Sequence, residues 1–256
     1  MGRLEARVAV ITGGGAGIGA AIARAFVAEG ARVVIADRDD VRARQTAASL
    51  GEAAFAQRTD VTRENEVSAL VAATRERFGG IDILVNNAGI MRKAYVKDMS
   101  LELWQQVLDV NLTATFLCSK AVLPAMIERG GGRVINIASI AGKIGEPTAS
   151  AYTAAKFGVI GFTRALAHEV ARHEILVNAI CPGPIPTELG EKGWREGAEV
   201  EGVGLDRVME RVNARSPLGR LGTVDSVARM ALFIASDECD FTTGAAFNVD
   251  GGIVMA

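Results

Sequence analysis

Residues 7–30, RVAVITGGGAGIGAAIARAFVAEG, constrain the fold more than any other stretch of the chain. VAVI is a short, continuous apolar run, the pattern of a strand buried on both faces of a parallel sheet. A glycine cluster follows at once, with the spacing Thr12-Gly13-x-x-x-Gly17-x-Gly19. Then Ile18, Ile22, Ala25 and Phe26 recur at helical spacing, and Gly30 closes the helix. Strand, glycine turn and helix in this order are the context of a dinucleotide-binding fingerprint, although the spacing is looser than Gly-x-Gly-x-x-Gly. Gly13 suits a tight turn, Gly17 allows close backbone approach to a pyrophosphate, and Gly19 allows helix and strand to pack closely. The helix N-terminus would face the anion.

The alternation continues to the end of the chain. ARVVIAD is a second strand ending in Asp37, and AAFAQRTDV a third ending at Asp60-Val61. IDILVNNAG is a fourth, running into Asn86, Asn87, Ala88 and Gly89. A long helix is expected after Ser100, with Leu103, Val107, Val110, Ala114 and Leu117 in its apolar stripe and Asn111 interrupting it. GRVINIAS and EILVNAICPGPIPTE carry strands five and six. TVDSVARMALFIAS is a final helix, and AAFNVDGG closes the sheet. The expected fold is α/β: a mainly parallel, doubly wound sheet with right-handed crossovers and helices on both faces. At 256 residues the chain suits one domain, 1–256, without repeat or linker. Residues 188–215 are charged and glycine-rich, lack a sustained apolar stripe before LDRVMERV, and read as a mobile lid over a substrate.

Acidic residues at strand ends admit two readings each. Asp37 lies eighteen residues after Gly19, where a carboxylate can accept both adenosine-ribose hydroxyls and repel a 2′-phosphate; it can also simply cap the next helix. The first reading favours NAD over NADP. Arg38 argues the other way, and Ala16 places no positive charge in the turn. Asp60 can bond an adenine amino group or cap a helix from Arg63 to Phe78.

A second cluster carries proton chemistry. Ser139 follows the apolar run RVINIA; Tyr152 comes thirteen residues later and Lys156 four after that. Tyr152 opens a helical pattern, so it and Lys156 lie one turn apart on one face. A phenol loses its proton near pH 10, and an adjacent ammonium lowers that value. The trio is therefore expected to move a proton near neutral pH, with Ser139 bonding the substrate oxygen. Taken alone, a Tyr-x-x-x-Lys pair is common in helices. Asn111, an amide on a mainly apolar face, is either a satisfied core group or a holder of water.

Composition excludes several classes. A net charge of −2 and a pI near 5.8 announce no basic face for nucleic acid. Cys118, Cys181 and Cys239 are far apart and odd in number, which suits inert thiols in a reducing, cytoplasmic setting. His168 and His173 read as structural. The longest uncharged run, Val8 to Ala23, is split by glycines and too short to span a membrane. Ile137 stands where a serine-hydrolase elbow needs its first glycine.

With these stretches in hand, the chain resembles the short-chain dehydrogenase/reductase family over almost its whole length. TGGGAGIG, Asp60-Val61, NNAG, Asn111, Ser139, YTAAK, PGPIPT and the terminal VDGG fall in that family's order and spacing. The resemblance implies a Rossmann fold with strand order 3-2-1-4-5-6-7 and hydride transfer between NAD(H) and an alcohol or ketone, without a metal. It implies Tyr152 as acid–base, Lys156 as the group that lowers its pKa and holds the nicotinamide ribose, Ser139 as orienter, and Asn111 as holder of a relay water. It implies cofactor contacts from Gly13, Gly15, Ala16, Gly17 and Ile18, from Asp37 and Arg38, and from Asp60 and Val61. Asn87, Ala88 and Gly89, Tyr152 and Lys156, and Pro182, Gly183, Ile185 and Thr187 complete that set, with Ile185 and Thr187 at the carboxamide. It implies a homotetramer built on helices 100–128 and 152–172, with Phe162, Leu166 and Trp104 as interface or core.

Lys143, Met91, Glu188, Glu146 and Trp194 are expected near the trio, Glu146 and Trp194 touching substrate beside Ser139 and Tyr152. That polar mixture suits a polyol, sugar or small hydroxy-ketone. The rivals are an NADPH-dependent 3-oxoacyl-[acyl-carrier-protein] reductase and a non-catalytic nucleotide sensor. Asp37 opposes the first. Loss of Tyr152 or Lys156 would mark the second, and both are present.

Overall fold

Both faces of every central strand are apolar, so the sheet must be covered on both sides. In β1 (Val8–Thr12), Ala9 and Ile11 face one way and Val10 the other; Val33 and Ile35 oppose Val34 in β2 (Arg32–Asp37). The computed structural model describes residues 2–255. Five more strands complete the sheet: β3 (Ala54–Arg58), β4 (Ile83–Asn86), β5 (Gly132–Ile137), β6 (Ile175–Pro182) and β7 (Ala246–Val249). All seven are parallel, in the order β3-β2-β1-β4-β5-β6-β7. This is the expected doubly wound Rossmann sheet.

One face is covered by α1 (Gly17–Ala28), α2 (Asp40–Leu50) and, after six intervening helices, a late helix (Val224–Ala235). Ile22 and Phe26 of α1 and Val227 and Leu232 of the late helix are buried against it. The other face carries α3 (Glu64–Phe78), then α4 (Leu101–Leu108) continuing into α5 (Ala114–Arg129), and α6 (Ser150–Val170). Leu70, Val122, Met126 and Leu166 are buried there. Leu166 is therefore core, while Phe162 is only partly buried and Trp104 packs beside Tyr152.

Between α4 and α5 lies one wide turn, Asp109–Thr113, of π type. Its extra residue shifts the phase of everything that follows. The stripe expected to reach Leu117 instead buries Thr115, Cys118 and Ser119, and leaves Leu117 half-exposed. Buried polar groups line this seam. The Asn86 side-chain amide donates to Ser119 Oγ at 3.1 Å and to Asn136 Oδ1 at 2.8 Å, and Asn136 donates to Thr163 Oγ1 at 2.9 Å. Ser119 and Thr115 donate in turn to the carbonyls of Thr115 and Asn111.

Two boundaries move from expectation. β3 ends at Arg58, not at Asp60-Val61, because the Asp60 carboxylate accepts from both Thr62 N (3.0 Å) and Thr62 Oγ1 (2.7 Å) and turns the chain. Accordingly Asp60 is not the cap of α3, whose N-cap is Arg63. The region 188–215 forms two helices, α7 (Glu188–Glu201) and α8 (Leu205–Ala214), with the late helix becoming α9. Thr187 caps α7 by accepting from Gly190 N at 3.2 Å. Its buried face is made of Gly193, Gly197 and Ala198, too small to show as an apolar stripe.

Candidate active site

The strand order reverses direction between β1 and β4, and the crevice at such a switch point, beyond the strand C-termini, is where this class of sheet binds ligands. A cavity of about 320 Å³ lies there. Gly13 and Gly17 hold φ of +62° and +54°, as the turn requires. A Cβ on Gly19 would stand 2.3 Å from the Gly13 carbonyl oxygen, so only glycine lets α1 approach the turn. Asn87 ties the two walls together: Nδ2 donates to the carbonyls of Thr12 and Gly13, both at 3.0 Å, while its backbone N–H donates to Thr12 Oγ1 at 3.0 Å. Ala16, the N-cap of α1, offers no side-chain cap, which leaves the first-turn N–H groups for an anion. This cradle fits a dinucleotide pyrophosphate.

Gly13, Ala16, Gly17, Ile18, Asp37 and Arg38 line the cavity, as do Asp60, Val61, Asn87, Ala88, Gly89 and Thr187. Asp37 does not cap α2; Asp39 does, accepting from Arg42 N at 3.1 Å. The Asp37 carboxylate is instead fixed at the β2 end, accepting from Gly15 N and Asp39 N, each at 3.0 Å. Six expected contacts lie off the wall: Tyr152 and Lys156, which stand beyond the cavity, and four more. Gly15 turns its N–H to Asp37, and Gly183 packs against Asp250, where a Cβ would meet its Cα at 2.8 Å. Pro182 ends β6, and the Ile185 side chain belongs to the core. The cavity also recruits Arg42, Arg92, Glu188 and Lys192, none of them expected at the nucleotide. The signal for Arg42 was present: it sits three residues after its cap Asp39, which brings the first turn of α2 back over the β2 end.

Beyond the cavity, Ser139, Tyr152 and Lys156 come together as the spacing predicts. Ser139 follows β5 and caps a 3-10 turn, its Oγ accepting from Ala141 N at 3.1 Å. Gly142 in that turn lies so close to α6 that a Cβ would stand 2.6 Å from the Lys156 carbonyl. Tyr152 and Lys156 are both buried. The Tyr152 ring packs with Val107, Ala141, Ala149 and Ala151 and against Met91, Met99 and Trp104. Lys156 Nζ donates to the Ile137 carbonyl at 2.8 Å and lies 5.5 Å from the centre of the Tyr152 ring.

Here the electrostatics depart from expectation. Burial pushes the Tyr152 phenol up to about 12, against the pull of its hydrogen bond to Ser139, with the nearby Glu146 charge adding to the rise. Burial also pushes the Lys156 ammonium down, to about 8. Desolvation dominates both shifts, and the lysine ammonium addresses the ring and the Ile137 carbonyl. A stability signature follows. The folded Lys156 value lies below the ordinary 10.5, so the unfolded chain binds more protons in between, and stability rises with pH through that window. From pH 7 to pH 9 the gain is expected to be about 1 kcal/mol. Above about pH 10 the raised Tyr152 value reverses the slope. Urea midpoints at pH 7 and 9 test this: Lys156→Met should lack the rise, and an equal rise in that variant would assign it elsewhere.

Asn111 sits in the wide turn. Its Nδ2 donates to the carbonyls of Ile90 and Val107, both at 2.9 Å, which fixes the amide orientation. Oδ1 is buried and without a partner, and it faces Gly89. The position of a Cβ on Gly89 would lie 2.8 Å from Oδ1 and 3.8 Å from Lys156 Nζ, so both groups border one small space.

On the substrate side, Glu146 is already engaged. Its carboxylate accepts from Arg215 Nη1 at 3.1 and 3.3 Å and lies 4.0 Å from Lys93 Nζ. It ties the end of α8 to the loop before α6. Lys143 reaches the Ala246 carbonyl at 2.9 Å. Trp194 is half-buried on α7, whose Gly193 and Gly197 admit Met91 and Lys93. The three cysteines are free and buried, and no group of three or more His, Cys, Asp or Glu among the described residues could hold a metal.

Comparison with known proteins agrees with this geometry. A family model described as enoyl-(acyl carrier protein) reductase matches residues 13–254. Galactitol 2-dehydrogenase of Agrobacterium fabrum is 42% identical over 99% of this chain and 100% of its own, and 2-(S)-hydroxypropyl-CoM dehydrogenase 3 of Xanthobacter autotrophicus is 40% identical over 98% of each. The 3-oxoacyl-[acyl-carrier-protein] reductase of Synechocystis is 41% identical over 100% of both. Among solved structures, 3-ketoacyl-(acyl-carrier-protein) reductase from Brucella melitensis complexed with NADH superposes with a TM-score of 0.89 at 34% identity, over 98% of this chain and 99% of that one. An actinorhodin polyketide ketoreductase variant with NADPH reaches 0.93 at 40% identity over 98% of each. A switch-point cradle for a dinucleotide beside a buried Ser-Tyr-Lys cluster, with these likenesses along the whole chain, makes this protein a member of the short-chain dehydrogenase/reductase family, oxidoreductases that act on CH–OH groups with a nicotinamide cofactor.

Proposed function

We propose that this enzyme prefers NAD(H) and interconverts a secondary alcohol and its ketone on a polyol, sugar or small hydroxy-ketone. The observation that carries the cofactor preference is the Asp37 carboxylate, held in the cavity wall by two backbone N–H groups. Such a carboxylate accepts ribose hydroxyls and repels a 2′-phosphate. Titrating the protein with NADH and NADPH by fluorescence tests this; markedly tighter NADH binding is expected. Tighter NADPH binding would move a biosynthetic ketoreductase to first place, a reading that Arg38 in the same wall and the carrier-protein reductases among the relatives favour. Binding of neither would overturn the reading.

The bound nicotinamide supplies the hydride chemistry. The chain supplies the proton path. Tyr152 exchanges the proton of the substrate oxygen, Ser139 orients that oxygen, and Lys156 provides a positive field that opposes the effect of burial on the phenol. Asn111 Oδ1, an acceptor without a partner, is suited to hold the water that relays the proton outward. Met91, Met99 and Trp104 pack in the cluster around Tyr152, and the Glu146 charge, paired with Arg215 and near Lys93, lies close to its phenol; this polar and apolar mixture supports a small substrate with hydroxyls rather than a large apolar one.

The assembly we propose is a cytoplasmic homotetramer. Phe116 of α5 and Phe157 of α6 are each 46% exposed, and Phe116 meets Phe162 edge to face at 6.4 Å. An uncovered aromatic face on two long neighbouring helices is suited to a second copy. The run Leu101–Arg129 is also long and apolar enough to cross a membrane by composition, but it contains the wide turn and buries Val122 and Met126 on the sheet. Light scattering at micromolar concentration should give four times the chain mass of 26.8 kDa, and a monomer would refute the assembly.

A further inference from the structure

The geometry points to Glu188 as a determinant of which adenosine ribose the cavity accepts, an inference that rests on the dinucleotide reading above. Arg42, in the first turn of α2, and Glu188, at the start of α7, both line the cavity. They are 146 residues apart in sequence and arrive from different sides, α2 after β2 and α7 after β6. Arg42 Nη1 nevertheless donates to Glu188 Oε2 at 2.6 Å, so one ion pair bridges the two walls. The same guanidinium is held from its other side, with Nε 3.2 Å from Asp39 Oδ2.

The chemistry of a 2′-phosphate makes this pair consequential. Phosphate recognition favours arginines that present several donors at once. Arg38 and Arg42 are the arginines beside Asp37 in the wall. Glu188 occupies one fork of Arg42, and Asp39 and Asp37 supply further negative charge around it. A nucleotide bearing a 2′-phosphate must therefore displace Glu188 to gain Arg42, and then meets an uncompensated carboxylate. A 2′-hydroxyl needs only an acceptor, which Asp37 provides without disturbing the pair. The side chains are 46% and 73% exposed, so the bridge contributes little to stability, and its effect is expected in nucleotide choice. Glu188 thus acts as a specificity-determining residue through Arg42, by withholding a cation from the phosphate.

Fluorescence titrations of NADH and NADPH against wild type, Glu188→Gln, Glu188→Asp and the double variant Glu188→Gln/Arg42→Ala separate the possibilities. In Glu188→Gln, NADPH should gain about five-fold or more relative to NADH, the gain shrinking in high salt. Glu188→Asp should keep most of the wild-type ratio, and the double variant should abolish the gain. An unchanged NADPH/NADH ratio in Glu188→Gln, or an equal change for both nucleotides, would overturn the inference. A wild type that binds neither nucleotide would instead defeat the cofactor reading itself, so the two failures are distinct.

Discussion

Replacing Tyr152 by Phe is expected to lower turnover by about 10²–10⁴-fold, the range typical of a positioned acid–base group, with little change in nucleotide binding. The substitution removes one oxygen and keeps the ring. Packing against Val107, Ala141 and Ala149 survives, and so does the Lys156 ammonium 5.5 Å from the ring centre. What disappears is the only phenol beside Ser139 and, with it, the exchangeable proton. Steady-state rates paired with an NADH titration read the two effects separately. Near-normal turnover by a folded Tyr152→Phe protein would sink the assignment of the acid–base. Retained nucleotide binding with lost turnover would also argue against a pure nucleotide sensor, whose function needs no phenol.

The second large effect is expected from Gly19→Ala. One added methyl would lie 2.3 Å from the Gly13 carbonyl oxygen and 2.6 Å from Asn87 Nδ2. Neither neighbour is the loose end of a flexible chain: Gly13 is backbone, and Asn87 is tethered by two carbonyls. Either α1 moves away from the turn or the tie between β1 and β4 breaks. Overpacking of this kind costs about 1–3 kcal/mol, a fall in melting temperature of about 5 °C for a chain of this size. The larger loss should be in binding, because displacing α1 moves the N–H groups that face the pyrophosphate. NADH affinity is expected to fall by an order of magnitude or more. A Gly19→Ala protein with wild-type affinity and melting temperature would show that the close approach of helix and turn is not needed.

The parallel, doubly wound sheet and the meeting of Ser139, Tyr152 and Lys156 were legible because they follow from local rules, whereas the strand order was implied by the resemblance to the family. Apolar runs buried on two faces require parallel neighbours, and a four-residue spacing on a helix puts two side chains on one face. Other features depend on partners distant in the chain. The glycines of α7 become a packing face only because Met91 and Lys93 come to meet them. Glu146 is already paired with Arg215, 69 residues away. The ionisation of Tyr152 and Lys156 is set by how much water the fold excludes, which spacing alone does not report. The wide turn at Asp109–Thr113 left only an indirect sign, an asparagine on an apolar face.

The polar seam under α5 and α6 bears on how this chain avoids folding wrongly. The bonds from Asn86 to Ser119 and Asn136 and from Asn136 to Thr163 form only when both helices sit at one position along β4 and β5. Aliphatic side chains at the same places would tolerate a helix displaced by one turn, since one methyl contact resembles the next. Amides and hydroxyls do not: each one stranded by such a slip costs about 1–3 kcal/mol. Four groups mismatched together would cost about 4–12 kcal/mol, comparable with the whole stability of a typical domain. The seam thus works as an alignment key. It excludes near-native competitors more than it deepens the native minimum, and it holds α6, which carries Tyr152 and Lys156, at one longitudinal setting against the sheet.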